Sequence, residues 1–522
     1  MTQEKREGLL RQRLQRVHVT TGIAVSLFMY VAVFFGIWAI WLPYVQTWER
    51  PSRHFAMPSI ETIDYSMMID SVLSDPDYPT INGVHILFSG HMNDPALRIS
   101  AQFAETIVFN PSTGQRVKDE GDQSQLAFFL NSMHYGRPFK ILGYLVFGFV
   151  AVAVMFLIVG GLMLVYKVRY KNHLQSLQSR FSKWHRRLFL WLFAPFVIVT
   201  MTGALMNIGY LSSPPMAYIA SKGETHDIWR LTMPILFPSE PIRERQNDEV
   251  PMLSVNDLIL KTKAVAPEID LQQITLYNWG DSSARAKIEG YDPYKPFLNG
   301  ISNKPSVTLS GVDGNLIAQH KVMDKHWSGL FVDSVYFLHF LFGVNGLART
   351  LIASIMAISA MAIGAGVLLY LEKQAKKFPK GVAPYHWMGR VSLAVMVGGF
   401  PAVGLLFVLQ WILPFEMEER FLWQKGAFAL LWLGTLTWSF YRLNAYEAAK
   451  ELLKLGGILF MLAPFVHFYG SGFSPAELWR YGMGNILSVD VALFGLGAIL
   501  WYIGGKLPLD REGFQAFGVK IL

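Results

Sequence analysis

Cysteine is absent from all 522 residues. Its absence excludes thiolate-held zinc, iron–sulfur clusters, thiol redox chemistry and disulfide staples. Any metal or haem therefore has to be held by histidine, methionine or oxygen donors. Charge is scarce as well: Asp, Glu, Lys and Arg make up 16% of the chain, against about 25% in an ordinary soluble domain. Nucleotide motifs are missing too. Gly482-Met483-Gly484 lacks the further glycine and the strand–helix setting of a dinucleotide fingerprint, and there is no phosphate-binding loop.

What is there instead is apolar sequence, 52% of the total. Runs at roughly 19–45, 139–166, 187–209, 347–371, 387–413, 421–441, 455–469 and 485–505 each approach the length needed to cross a bilayer. Eight spans are expected, and the first, followed by Trp41-Leu42-Pro43 rather than a small-residue cleavage site, reads as a retained anchor. Lysine and arginine collect in cytoplasmic loops. Residues 1–17 hold five basic and two acidic residues, and residues 166–187 hold Lys167, Arg169, Lys171, Arg180, Lys183, Arg186 and Arg187 with no acid. Residues 46–137 carry eleven acidic against six basic residues, and 209–338 fifteen against twelve. The first pair is expected inside and the second outside, with both termini cytoplasmic. The net charge of +8 is thus a topology signal, and the partner it implies is a lipid bilayer, with no nucleic acid. The inside loops, roughly 20 residues or shorter, leave no room for a flavin, nicotinamide or ATPase domain.

The expected organisation is residues 1–45 as N-terminal segment and first span, 46–137 as a first external module, 138–209 as spans two and three with a basic inner loop, 210–338 as a second module, 339–372 as the fourth span, and 386–522 as a four-span extension. In the second module Ser254 caps a helix through Ala266, followed by strand-like stretches at 274–279, 284–289, 306–309 and 315–319. The first repeats this with strands at 83–88, 97–102, 106–109 and 115–117. Each reads as a small α+β module.

The two halves also repeat in their histidines. His18 precedes Gly36 by 18 residues and His185 precedes Gly203 by 18; at about 100° per residue this is five full turns, placing each histidine on the same helix face as a glycine. His134 and His339 precede Gly161 and Gly366 by 27 residues. That is seven and a half turns, so in one continuous helix the glycine would face away. Pro138 and the Gly343–Gly346 stretch suggest that both histidines end short separate helices at the outer surface. The chain thus reads as two copies of span, external module and span, over about 15–170 and 182–373.

Neutral imidazoles in facing pairs within a helical bundle are suitable axial ligands for haem iron. His18 with His185 at the inner edge, and His134 with His339 at the outer edge, would hold two b-type haems. His386, which stands to Gly404 as His18 stands to Gly36, is an alternative inner ligand. Arg16, Arg186, Arg137 and Arg349 are by default interface charges, and secondarily partners for haem propionates. His467 reads as packed or interfacial, and His54, His85, His91, His226, His320 and His326 as solvated.

These residues resemble bacterial proteins with PepSY-associated transmembrane helices, among them iron-regulated inner-membrane proteins of the ferric-siderophore reductase type. The resemblance rests on Arg16-Val17-His18 with Gly22, on Leu338-His339 followed by Gly343, Gly346 and Arg349, and on the hairpin turns at Asn110–Gly114 and Val312–Leu316. It covers roughly residues 10–373. It implies PepSY-like periplasmic modules and, as in the reductase members, haems on His18, His185, His134 and His339.

The expected fold class is therefore a polytopic α-helical membrane protein of about eight spans, with a four-helix haem-binding core from two repeats and two small periplasmic α+β modules. The expected function is that of a di-haem inner-membrane oxidoreductase, a ferric-chelate reductase. Electrons would come from a cytoplasmic reductase or membrane quinol and pass to a periplasmic Fe(III)-siderophore, releasing iron as reduction weakens its hold on hard oxygen ligands. One alternative is a membrane sensor or scaffold binding peptide or protein. Another is a secondary transporter for iron chelates, against which stands an expected lack of acids within the apolar runs.

Overall fold

The computed structural model describes residues 3–59, 62–80, 83–167, 176–237, 244–375, 386–442, 444–509 and 513. The first half begins with α1 (Gln3–Ile40) and the short α2 (Leu42–Trp48). At about 1.5 Å per residue, α1 is far longer than the roughly 30 Å hydrocarbon layer, so its charged first turns extend beyond it. Then come α3 (Tyr65–Leu73), strands β1 (Val84–Leu87), β2 (Leu97–Ala101), β3 (Ile107–Asn110) and β4 (Gln115–Val117), α4 (Leu126–His134) and α5 (Lys140–Lys167). The second half repeats the order. α6 (Leu177–Trp191) and α7 (Phe193–Ala220) form one rod broken at Leu192, α8 (Ile228–Leu236) and α9 (Val255–Val265) follow, then β5 (Asp270–Tyr277), β6 (Arg285–Tyr291), β7 (Ser306–Ser310) and β8 (Leu316–His320), α10 (Trp327–Phe340) and α11 (Gly346–Ala375). The remainder is helical: α12 (His386–Met396), α13 (Gly399–Ile412), α14 (Arg420–Tyr441), α15 (Ala445–Ser471), α16 (Pro475–Arg480) and α17 (Gly484–Lys506).

Among the described residues, seven helices are long and apolar enough to cross a membrane: Arg6–Ile40, Arg137–Tyr166, Phe193–Ala220, Gly346–Gln374, Trp387–Ile412, Ala445–Ser471 and Gly484–Lys506. The eighth expected run, 421–441, falls in α14. This helix has 22 residues, but its buried side carries Arg420, Gln424, Thr435 and Ser439, which reduces its apolar content. The chain is a polytopic helical membrane protein, and whether its two ends share a side depends on α14.

The two expected modules are joined into one domain. Their strands form a single antiparallel sheet ordered β4-β3-β2-β1-β5-β6-β7-β8. The seam is β1 against β5, with Val84 opposite Leu276, His85 opposite Thr275 and Ile86 opposite Ile274. α3 and α9 lie on one face over a shared apolar core in which Met68, Ile69, Leu258, Ile86 and Ile274 are 0–1% exposed. Asp64 caps α3 by accepting from the Met67 amide, and Ser254 caps α9 by accepting from that of Asp257, each relieving an otherwise unpaired helix-end donor. The two caps are separated along the chain by the same interval as His85 and Thr275 at the centre of the seam. The modules are therefore related by a two-fold axis through that pair. The two helix starts meet each other: the Tyr65 amide donates to Asn256 Oδ1 at 3.1 Å and the Asn256 amide to Ser66 Oγ at 3.2 Å.

Below the sheet, α1, α5, α6–α7 and α11 form the four-helix core. α12 to α17 pack against the α1 side of it, through α1 itself, α2 and α4. Glycines set the closest approach in this extension, where Gly457 and Gly497 meet backbone to backbone. Gly404, the partner in spacing of His386, faces Leu459 and Phe460 of α15 and so serves helix packing.

Candidate functional site

The bundle brings together four histidines in two pairs. On the side away from the sheet, the His18 ring from α1 and the His185 ring from α6 have centroids 6.3 Å apart at 66°. On the sheet side, the His134 ring from α4 and the His339 ring from α10 are 5.9 Å apart at 31°. Both sheet-side histidines end separate short helices, as Pro138 and the glycine stretch suggest. After His134 the chain turns sharply through Gly136, at φ 82°, before α5 begins. That turn lets a residue only a few positions before the span reach inward.

Each ring lies against a glycine of another helix. A β-carbon on Gly161 would stand 3.2 Å from His18, on Gly366 2.9 Å from His185, on Gly36 3.0 Å from His134, and on Gly203 3.1 Å from His339. The longer of the two histidine–glycine spacings thus has a geometric meaning that a single helix hides. Gly161 and Gly366 lie at the far end of their helices and face the histidines of α1 and α6, while Gly36 and Gly203 face those of α4 and α10.

The rings are also oriented. His134 Nδ1 donates to the Ala32 carbonyl at 2.6 Å and His185 Nδ1 to that of Ala362 at 2.9 Å; each carbonyl lies one turn before the facing glycine. His339 Nδ1 instead lies 3.0 Å from Thr202 Oγ1, whose own hydrogen goes to the Ile198 carbonyl at 2.8 Å. The threonine oxygen is therefore the acceptor. His18 Nδ1 is buried without closing a normal hydrogen bond. With Nδ1 tied as donor, a neutral imidazole presents a lone pair on Nε2, the arrangement that metal-ligating histidines use.

Of the four candidate arginines, Arg349 is 6% exposed and spends three donors on the Val344, Ile40 and Leu341 carbonyls. It ties the loop before α11 to the end of α1, which accounts for its charge structurally. Arg186 is held by Ser182, and Arg16 and Arg137 are exposed. The side chain of His386 lies outside the described residues.

A second polar cluster was not anticipated. His54, expected on a solvated surface, is 9% exposed, and His467 is wholly buried. Their Nε2 atoms are 2.8 Å apart, and His467 Nδ1 lies 2.9 Å from both Asp490 oxygens. Asp490 also corrects the expectation that the apolar runs lack acids, since it sits within α17. Nearby, Glu49 is fully buried: one carboxylate oxygen accepts from the Ala127 amide at 2.9 Å, capping the helix that ends in His134. Burial pushes the Glu49 carboxyl up to about 7, against the opposing pull of Arg50. A histidine a short way past the end of α1 and an aspartate in the last span carry no local motif, so only the tertiary fold could unite them.

The sequence profile of the PepSY-associated TM region matches residues 15–373, more than two thirds of the chain. The chain belongs to the PepSY-associated TM region family. The PepSY-associated TM region takes in both repeats, all four paired histidines and their glycines, whereas His386, His467 and Asp490 lie beyond it. No curated protein matches the chain significantly.

Proposed function

We propose that the protein is a two-haem electron carrier across the membrane, in which His18 and His185 would hold one haem and His134 and His339 the other. The observation that carries this reading is the ring spacing. A metal between two imidazoles at about 2 Å per bond puts the facing nitrogens about 4 Å and the ring centres about 6 Å apart, and the two pairs stand at 6.3 and 5.9 Å. Two imidazoles leave most of a metal's coordination unmet, so a metal held there would bring further donors of its own, as haem iron does. The residues present fit it: four glycines make room for the rings, and Ala32, Ala362 and Thr202 fix the Nε2 lone pairs.

Bound haem supplies one-electron exchange at each face of the bilayer. The chain's part is to hold the imidazoles, fix their tautomer and keep the two sites on opposite sides of one bundle. With lysine and arginine setting the orientation, the sheet-side pair would hold its haem towards the periplasm, where an Fe(III)-siderophore would be the electron acceptor. A cavity of about 340 Å³ beside the start of α10, lined by Pro234, Leu236, Asn303, Lys325 and His326, opens in that domain and is a candidate for the acceptor to reach. The donor is a cytoplasmic reductase or quinol.

Haem quantification and absorption spectra of purified protein test this. Two low-spin haems per chain are expected, falling to one in His185→Ala and in His339→Ala; no haem in protein made with adequate haem supply ends the proposal. Anaerobic reoxidation of reduced protein by iron(III) chelates tests the acceptor, which is wrong if no chelate exceeds the buffer rate.

A further inference from the structure

We propose that His54, His467 and Asp490 form a proton-binding site in which His467 is kept as an imidazolium between the Asp490 carboxylate and the His54 ring, and that this proton fastens the C-terminal helices to the segment following the first span. The argument is an assignment of hydrogens. His54 Nδ1 lies 2.9 Å from the Arg50 carbonyl, which can only accept, so Nδ1 carries hydrogen and a neutral His54 offers a lone pair at Nε2. His467 Nδ1 meets the Asp490 carboxylate, which also accepts the Trp48 indole N–H at 2.8 Å. His467 Nδ1 therefore carries hydrogen as well. Two neutral rings would then oppose lone pairs across the 2.8 Å gap between the Nε2 atoms. One further proton closes the gap, and the carboxylate favours it on His467.

Moving the Asp490–His467 hydrogen onto the carboxylate leaves the total unchanged, so the triad as a unit binds one proton more than two neutral rings and a free carboxylate would. The charges balance within it, as a buried ion pair requires. The rings of Trp48, Trp411 and Phe473 wall it in. Burial and the neighbouring His467 hold His54 well below its usual range, to about 3, in keeping with a ring that stays neutral.

The surrounding charges are engaged elsewhere. Arg53 pairs with Asp94 at 2.9 Å and with Asp119 at 3.3 Å, and Arg50 with Asp119 at 3.4 Å. Arg420 of α14 is held by the Gln410, Gln123 and Leu413 carbonyls, and Glu49 turns to α4. From α13 the site meets Trp411, with the neutral Gln410 one residue away turned to the Glu49 carbonyl. The site joins the α2 region to α15 and α17, so losing the proton opens this junction. The inference stands independently of haem.

Nitrogen-15 NMR of the full chain, labelled at histidine and tryptophan, in phospholipid nanodiscs tests it at about pH 8.5, where an ordinary histidine of pKa near 6.5 is almost wholly neutral. One imidazolium is expected among the 13 histidines, absent in His467→Gln. Thirteen neutral rings, or an imidazolium that survives His467→Gln, overturns the assignment. If that variant does not accumulate, wild type decides: loss of the imidazolium on raising pH must coincide with a shift of the Trp48 indole signal, and titration without that shift overturns it. Amide exchange tests the fastening. Residues 48–54 are expected to exchange at least tenfold faster in Asp490→Asn, and unchanged exchange refutes that role.

Discussion

Gly36 of α1 lies so close to the His134 ring that a β-carbon there would stand 3.0 Å from both Cε1 and Nδ1. The same contact recurs three times, and it makes the glycines as specific to the site as the histidines.

Gly36→Val is accordingly expected to displace His134, and Gly366→Val to displace His185. Misplacing a ligand's support typically costs about ten- to a hundredfold in metal affinity, so each variant should retain one haem and lose most of the other during purification. Haem per chain is the measurement. Gly160→Val, where nothing lies within 4 Å, is the control.

Thr202→Val removes the only side-chain acceptor among the four Nδ1 contacts. The His339 ring loses its tautomer lock, so sheet-side haem retention is expected to fall roughly tenfold while the other haem is untouched. Spectroelectrochemistry should show one of two midpoint potentials shifted; two unshifted potentials with full haem would show that Thr202 does not orient the ring.

Glu49 ties stability to pH. Its carboxyl rises from about 4.5 to about 7 on folding, so the folded protein keeps a proton that the unfolded chain has released. Stability therefore falls as pH rises between those values and levels off above them. Thermal unfolding in detergent is expected to show this decline, and Glu49→Gln is expected to flatten it. An identical slope in the variant would assign the decline to other groups.

Ile274 is wholly buried at the seam opposite Ile86. Ile274→Asp buries an unpaired carboxylate, at a cost of several kcal/mol. Because both modules share one core, hydrogen exchange should show α3 and α9 losing protection together. Loss confined to residues 244–320 would mean that the modules fold separately.

Much of this was legible because the relevant signals are local or periodic. The Ser254 cap, the strand positions and the apolar runs need only neighbouring residues, and the histidine–glycine spacing survives duplication. The rest depends on contacts that no window of sequence contains. The β1–β5 seam joins strands from opposite halves of the repeat, and nothing in either strand distinguishes a buried partner from a solvent edge. α14 gathers Arg420, Gln424, Thr435 and Ser439 on its buried side, a placement that its composition does not show. The His54–His467 contact links the end of the first repeat's opening span to the extension, and a lone histidine after a span looks like a surface residue until its partner arrives.

The two-fold axis through His85 and Thr275 bears on how such a chain can arise. A half-length ancestor with two spans and one module would offer the same strand edge to a second copy of itself, since antiparallel pairing of equivalent strands is self-complementary. Both histidine pairs would then be completed between subunits. Fusing the copies replaces an encounter limited by concentration with a tethered one, at an effective concentration in the millimolar range. Fusion also frees the copies to diverge: among the described residues the further helices pack mainly on the first copy, through α1, α2 and α4.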